Sequence, residues 1–271
     1  YESSYSPMPR LVHRYEDRIL VLVTGKCAMY CRHCFRRYFT GADQTVIQEE
    51  ELRNIAEYIE NHPEVREVIL SGGDPLVLDD DAIEHILKRF SIARRDLRFR
   101  IATRVPVVLP SRITSSLAVM LRRYVPLWVV TQYNHPRELT EESCRSISEL
   151  VDIGIPVANQ SVLLRGVNDS YETLKELFQK LVNTRIKPYY LFQGDLAEGT
   201  SHFRVPISRG LELMRMLEDG VSGLALPAYA VDLPRGGGKI KLTESSVLSR
   251  NSGWYTLKGR SGDIYHYPDE A

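Results

Sequence analysis

The sequence predicts an α/β fold: a partial, TIM-like (β/α)6 barrel followed by a short β-rich C-terminal extension. Three observations predict it. Apolar, β-branched runs alternate with amphipathic helical stretches six times between Arg18 and Asp219, at about 30 residues per unit. Strict βα alternation implies parallel strands joined by right-handed crossovers. Polar residues gather at the C-terminal ends of the apolar runs, where such sheets place chemistry. Six units are too few for the closed eight-stranded barrel. No G-x-G-x-x-G follows the first run, which argues against a dinucleotide-binding sheet.

The elements follow in order. "RILVLVT" (Arg18 to Thr24) reads as a buried strand and "EEELRNIAEYIENH" as an amphipathic helix. "REVILSGGD" (Arg66 to Asp74) is a strand ending in glycines, and "DAIEHILKRF" a helix. "LRFRIATR" is a strand, followed by a helix in "SRITSSLAVMLRRY" that is expected to start near Ser111. "PLWVVTQYN" and "PVANQSVLL" are strands, each followed by a helix, "TEESCRSISELVDIG" and "SYETLKELFQKLVNT". "KPYYLFQGD" and "SRGLELMRMLED" make the sixth unit. After Asp219 the helical period stops, and "GLALPAYAVDLPRGGGKIKL" and "SGWYTLKGRSGDIYHY" read as a β-rich tail. The opening "YESSYSPMPRLVHRY" reads as a mid-protein connection, so the chain is expected to be the core of something longer.

Bulk properties narrow the function classes. Lys plus Arg and Asp plus Glu both number 35 in the 271 residues, which gives no global reason to expect nucleic-acid or membrane binding. No apolar run approaches the roughly 20 residues of a transmembrane helix, and no signal-peptide pattern opens the chain. Of 4 cysteines, Cys27, Cys31 and Cys34 fall within one short stretch. That is no disulfide framework, and it suits metal ligands in a reducing cytoplasm. Cys144 reads as a core thiol.

"GKCAMYCRHCFRRY" spaces its thiols as C-x3-C-x2-C just after the first strand. Three thiolates on one loop can hold a four-iron cluster and leave one iron without a protein ligand. That iron could then chelate a small molecule. A structural zinc site is the competing reading. Zinc usually takes four closed ligands, and His33, between two of the cysteines, is poorly placed to be the fourth. The spacing and its position after strand one resemble the radical S-adenosylmethionine (SAM) enzymes, whose partial barrel has six βα units. The resemblance implies a [4Fe-4S] cluster on Cys27, Cys31 and Cys34, with SAM on the open iron. "SGGDP" (Ser71, Gly72, Gly73, Asp74) resembles the family's glycine motif, where backbone approaches SAM closely; glycines that merely end a strand are the plainer reading.

Lys239 follows Gly236, Gly237 and Gly238 in "VDLPRGGGKIKL". A lysine on a glycine run is either a solvated tail or a Schiff-base lysine for pyridoxal 5′-phosphate (PLP). "HRYEDR" offers Arg14, Tyr15 and Arg18 for a phosphate. Together, "HRYEDR", "CAMYCRHCFRR", "SGGDP", "NQSVLLRGVND", "GDLAEGTSHF" and "VDLPRGGGK" resemble lysine 2,3-aminomutase and its close relatives, from about Pro9 to Leu242.

That resemblance implies an isomerase using the cluster, SAM and PLP to move the α-amino group of L-lysine to C3, giving β-lysine. It implies Lys239 as the PLP lysine and Arg14, Tyr15 and Arg18 at the PLP phosphate. It places Gln160, His33 and Gln132 near SAM, with Gln132 standing where histidine is expected. It assigns Asp195 and Asp232 to the substrate ε-ammonium and Arg36 to its α-carboxylate; an acidic substrate would meet repulsion at the two aspartates. Singly, each aspartate also reads as a cap or a surface carboxylate. No zinc is expected, since no cysteine follows Cys144 and Ser170 stands at the first such ligand position. Arg235 replaces an expected glycine and could add a phosphate contact.

The implied division is a connecting segment with PLP-phosphate contacts (1–17), a radical SAM core (18–218) and an extension carrying the PLP lysine (219–271). Implied partners are the amino acid and an electron donor such as flavodoxin or ferredoxin, in the cytoplasm, with homo-oligomerisation open. Three other functions stay open: β-lysine synthesis for modifying an elongation factor, an aminomutase for another cationic amino acid such as arginine, and a non-catalytic cofactor-binding homologue.

Overall fold

The structure is a computed structural model that describes residues 2–41, 45–251, 253–259 and 261–269, with the side chains of Glu2, Ser3 and Arg235 outside the description. Two compact units divide the chain. The first comprises Tyr1–Tyr30, Arg36–Thr131 and Thr140–Ala158; the second comprises Cys31–Phe35, Gln132–Leu139 and Asn159–Ala271.

In the first unit, β1 (Leu11–Tyr15) and β2 (Arg18–Thr24) form an antiparallel hairpin, with Tyr15 opposite Arg18. The segment expected only to connect therefore contains a strand. α1 (Glu49–Asn61) leads to β3 (Glu67–Gly72), and α2 (Asp80–Ala93) to β4 (Arg98–Ala102). A short α3 (Val105–Val108) and α4 (Ser115–Arg122) precede β5 (Leu127–Thr131), which α5 (Glu141–Val151) follows. Strands β2 to β5 pair in parallel, each with the next. The helices bury stripes at the helical period: Leu52, Ile55, Ala56 and Ile59 on α1, and Ile83, Ile86, Leu87 and Phe90 on α2.

One helix start differs from expectation. Pro110 opens a separate single turn, Pro110–Arg112, and Ile113 is extended. α4 begins instead at Ser115, where Thr114 Oγ1 accepts a bond from Leu117 N at 3.2 Å. Ser111 has the right chemistry for a cap, but it lies inside the proline turn. Cys144, expected in the core, is half-buried on α5.

β6 (Val157–Val162) crosses the division between the units. The second unit continues with α6 (Tyr171–Asn183), β7 (Ile186–Phe192), α7 (Ile207–Gly220), β8 (Ala228–Leu233) and β9 (Gly238–Lys241). β8 is parallel to β7 and β9 antiparallel to β8. β10 (Val247–Asn251), β11 (Trp254–Lys258) and β12 (Ile264–Pro268) form a separate antiparallel sheet. Within the first unit β1 to β5 follow chain order, and within the second β7 to β9 do. The α/β class, the six βα units and the β-rich C-terminal segment are all present. Among the described residues no helix is long and apolar enough to cross a membrane.

Candidate active site

The SGGD turn is built by the first unit's own backbone. β2 and β3 end side by side, with Thr24 opposite Gly72. Gly73 N donates to Thr24 O at 2.6 Å and Asp74 N to Lys26 O at 2.7 Å. A Cβ on Gly73 would collide with the Lys26 carbonyl. The glycine is thus required by the chain's own close approach, at the residue that leads into Cys27. Arg36, past the cysteines in sequence, is buried, and its Nη1 donates to Ser71 Oγ at 3.0 Å.

Asp74 is committed to structure. Its Oδ1 accepts from Thr103 Oγ1 at 2.6 Å and Leu76 N at 3.1 Å, and its Oδ2 from Arg104 N at 2.6 Å. Burial raises its pKa and these donors oppose the rise. Asp74 therefore ties the end of β3 to the end of β4 and holds the turn. Thr131, at the end of β5, is a residue the sequence did not single out. Its hydroxyl is buried and finds no partner among the described residues.

The β1–β2 hairpin gathers the expected phosphate contacts. Arg18 Cζ lies 4.2 Å from the Tyr15 ring centroid, and Arg14 Cζ lies 5.7 Å from the same ring and 5.2 Å from that of Tyr5. Arg18 also pairs with Asp17 at 2.7 Å. Among the described residues, Arg14 Nη2 is buried with no hydrogen-bond partner. A buried guanidinium N–H without a partner is a place an anion would satisfy, so the hairpin fits a phosphate.

In the second unit, Cys34 N donates to Cys31 O at 3.1 Å, closing a turn around His33. Cys27 falls in the first unit and Cys31 and Cys34 in the second; all three are half-buried. Among the described residues no three His, Cys, Asp or Glu side chains are arranged around a single metal ion. A cluster does not need that arrangement, because each thiolate meets a different iron. Three thiolates in this spacing suit iron–sulfur chemistry.

Gln132 Nε2 and Asn134 Nδ2 lie 3.2 and 3.4 Å from His33 Nε2. With the amides donating, His33 Nε2 is the acceptor. Three asparagines that the sequence left unassigned build the surrounding loops. Asn159 Oδ1 accepts from Tyr133 N at 2.6 Å, and Asn134 Oδ1 from Val162 N at 2.8 Å. Asn168 Nδ2 donates to Asn134 O and Val162 O, both at 2.8 Å. Gln160 sits between the fully buried Asn159 and Ser161, so strand alternation turns it to the other face, where it is half-buried. Ser170 caps α6, accepting from Thr173 N at 3.3 Å.

β8 and β9 bring the remaining residues together. Asp232 is the cross-strand partner of Lys239, and Lys239 Nζ lies 3.8 Å from Asp232 Oδ2. The ammonium also lies 4.1 Å from the Phe192 ring centroid and 5.1 Å from that of Tyr190. Lys239 is thus fixed in a strand between two rings and a carboxylate, where the glycine run alone suggested a loose tail. Its side chain is 30% exposed and can reach a ligand. Asp195 lies half-buried in the loop after β7. The contact that Arg235 could add falls outside the described side chains.

The Radical SAM superfamily matches residues 21–179, so the chain is a radical SAM protein. Residues 214–271, which include the β8–β9 pair, match Lysine-2,3-aminomutase. L-lysine 2,3-aminomutase of Acetoanaerobium sticklandii is 45% identical over 269 residues, which cover 99% of this chain and 65% of that protein. A putative L-lysine 2,3-aminomutase of Treponema pallidum is 41% identical over 98% of this chain and 77% of its own length. The chain belongs to the lysine 2,3-aminomutase family. A glutamate 2,3-aminomutase of Clostridioides difficile is 37% identical, over 99% of this chain and 64% of that protein. Among solved structures, Streptococcus suis SuiB bound to S-adenosylmethionine superposes with a TM-score of 0.61 at 14% identity, covering 82% of this chain and 51% of that one. That likeness concerns the fold alone.

Proposed function

We propose that this chain carries the catalytic core of an isomerase, a radical SAM and PLP-dependent aminomutase that converts L-lysine to β-lysine. The observation that carries this reading is the Asp232–Lys239 pair, within a segment that matches Lysine-2,3-aminomutase. When bound, the cluster and SAM supply a carbon radical that removes and returns a hydrogen, and PLP carries the migrating nitrogen.

Every other task falls to the chain. Cys27, Cys31 and Cys34 would hold the cluster, and an external donor such as a flavodoxin or ferredoxin would reduce it. The SGGD turn fixes the first cysteine's approach, and Ser71, Gly72, Gly73, His33, Gln132 and Gln160 line the SAM side. Arg14, Tyr15 and Arg18 hold the PLP phosphate. Lys239 would be the residue that holds PLP through its ε-amine. Arg36 binds the α-carboxylate, while Asp195 and Asp232 bind the ε-ammonium. Orientation is the chain's main catalytic contribution, because C3 must be held within reach of the radical.

The neighbourhood of Asp232 supports a cationic substrate, since this carboxylate already lies beside an ammonium, that of Lys239. The test is spectroscopic. Reconstituted anaerobically, the protein is expected to show iron–sulfur absorbance together with the band of lysine-bound PLP. Lys239→Ala should lose that second band and keep the first. Retention of the PLP band in Lys239→Ala would sink the assignment.

A further inference from the structure

We infer that Tyr267 and Tyr229 are positioning residues for Asp195: through Gly194 and Gln193 they fix the loop that aims this carboxylate at the substrate's ammonium. The inference rests on the proposed substrate role of Asp195.

Gln193 is 2% exposed and bonded through its backbone and both ends of its side-chain amide. Its backbone N donates to Ala230 O at 2.8 Å, and its side-chain Nε2 to Val205 O at 2.6 Å. Its Oε1 accepts from the Tyr229 hydroxyl at 2.5 Å. Tyr229 is itself buried, and α7 leaves room for its hydroxyl only because residue 210 is glycine; a Cβ there would collide with it. The next residue, Gly194, has no side chain to hold it, and its carbonyl accepts from the Tyr267 hydroxyl at 2.6 Å. Tyr267 is fully buried on β12, 73 residues along the chain. Thr200 Oγ1 then reaches the carbonyl of Asp195 at 3.4 Å and that of Ala197 at 2.7 Å.

Three consecutive residues, ending at Asp195, are therefore each held by a side chain from elsewhere. Both tyrosines must keep their protons to donate. Burial pushes both phenols far above the ordinary tyrosine range; for Tyr267, Asp195 adds to the rise and Arg204 opposes it. The separate sheet of β10, β11 and β12 thereby gains a task, since β12 supplies the donor that closes on Gly194.

The test uses the full-length holoenzyme and variants that remove only an oxygen. Tyr267→Phe is expected to raise the KM for lysine about five-fold, the scale of one lost hydrogen bond, with kcat nearly unchanged. Inhibition by norleucine, which lacks the ε-ammonium, should not move. In an Asp195→Asn background the same change should add nothing, because coupled residues are not additive. Tyr229→Phe provides an independent second variant with the same expected pattern.

Asp195→Asn raising the lysine KM while both Tyr→Phe variants leave it unchanged would overturn the inference and spare the substrate reading. Asp195→Asn leaving lysine KM unchanged would overturn both. Weakening of lysine and norleucine alike, additive with Asp195→Asn, would reduce the tyrosines to structural parts and also overturn the inference.

Discussion

The SGGD turn of the first unit and the β8–β9 pair of the second hold candidate site residues in opposite ways. At the turn, Asp74 is buried and consumed by the protein: it accepts from Thr103, Leu76 and Arg104. On β8 and β9, Asp232 and Lys239 face each other at 3.8 Å, and their side chains are 37% and 30% exposed. A buried, saturated network sets geometry. A partly exposed pair can exchange partners at little cost. The turn is therefore held by its own hydrogen bonds, and the β8–β9 pair is open to a ligand.

Breaking that contrast should give effects of decreasing size. Cys34→Ala should abolish SAM cleavage, with iron content falling in a direct iron assay. Asp74→Ala should act on the fold instead. It strands the donors of Thr103, Leu76 and Arg104 in a buried position and should cost about 3 kcal/mol, read as a lower urea midpoint. Asp232→Ala should do the reverse. The exposed pair with Lys239 contributes at most about 1 kcal/mol to stability. Lysine kcat/KM should nevertheless fall about 30-fold, the worth of a charge-assisted hydrogen bond of about 2 kcal/mol, while slow SAM cleavage persists. Equal loss of stability in Asp74→Ala and Asp232→Ala would erase the distinction between the regions. The smallest effect belongs to the hairpin: Arg14→Ala should weaken PLP binding about ten-fold, measured by titration of the cofactor band.

Much of this was legible from periodicity. The stripes of α1, α2 and α6 and the apolar runs of β2 to β7 announce themselves within a dozen residues, because each is a local pattern meeting one buried face. β1 was not legible: "LVHRY" is short, and its last residues carry phosphate-type chemistry that reads as loop. The α4 start failed because a capping serine and a proline turn compete for the same four residues, and Thr114 does the capping. Candidate site residues with a local motif are visible in the sequence, including the cysteines, SGGD and Lys239. Those defined by distant partners are not. Asn134, Asn159 and Asn168 look like ordinary polar residues until the loops they join are seen together. Tyr267 meets Gly194 only through the fold. The glycines of SGGD were visible for an incomplete reason: Gly73 is needed first for the approach of Lys26.

The central claim is that Asp195 and Asp232 select a cationic amino acid for 2,3-amino migration. Product analysis tests it most directly, with the reconstituted holoenzyme offered L-lysine, L-arginine and L-glutamate beside SAM, PLP and a reductant. The account predicts that lysine is converted to β-lysine and glutamate is left unchanged. Inert lysine with glutamate consumed would contradict it.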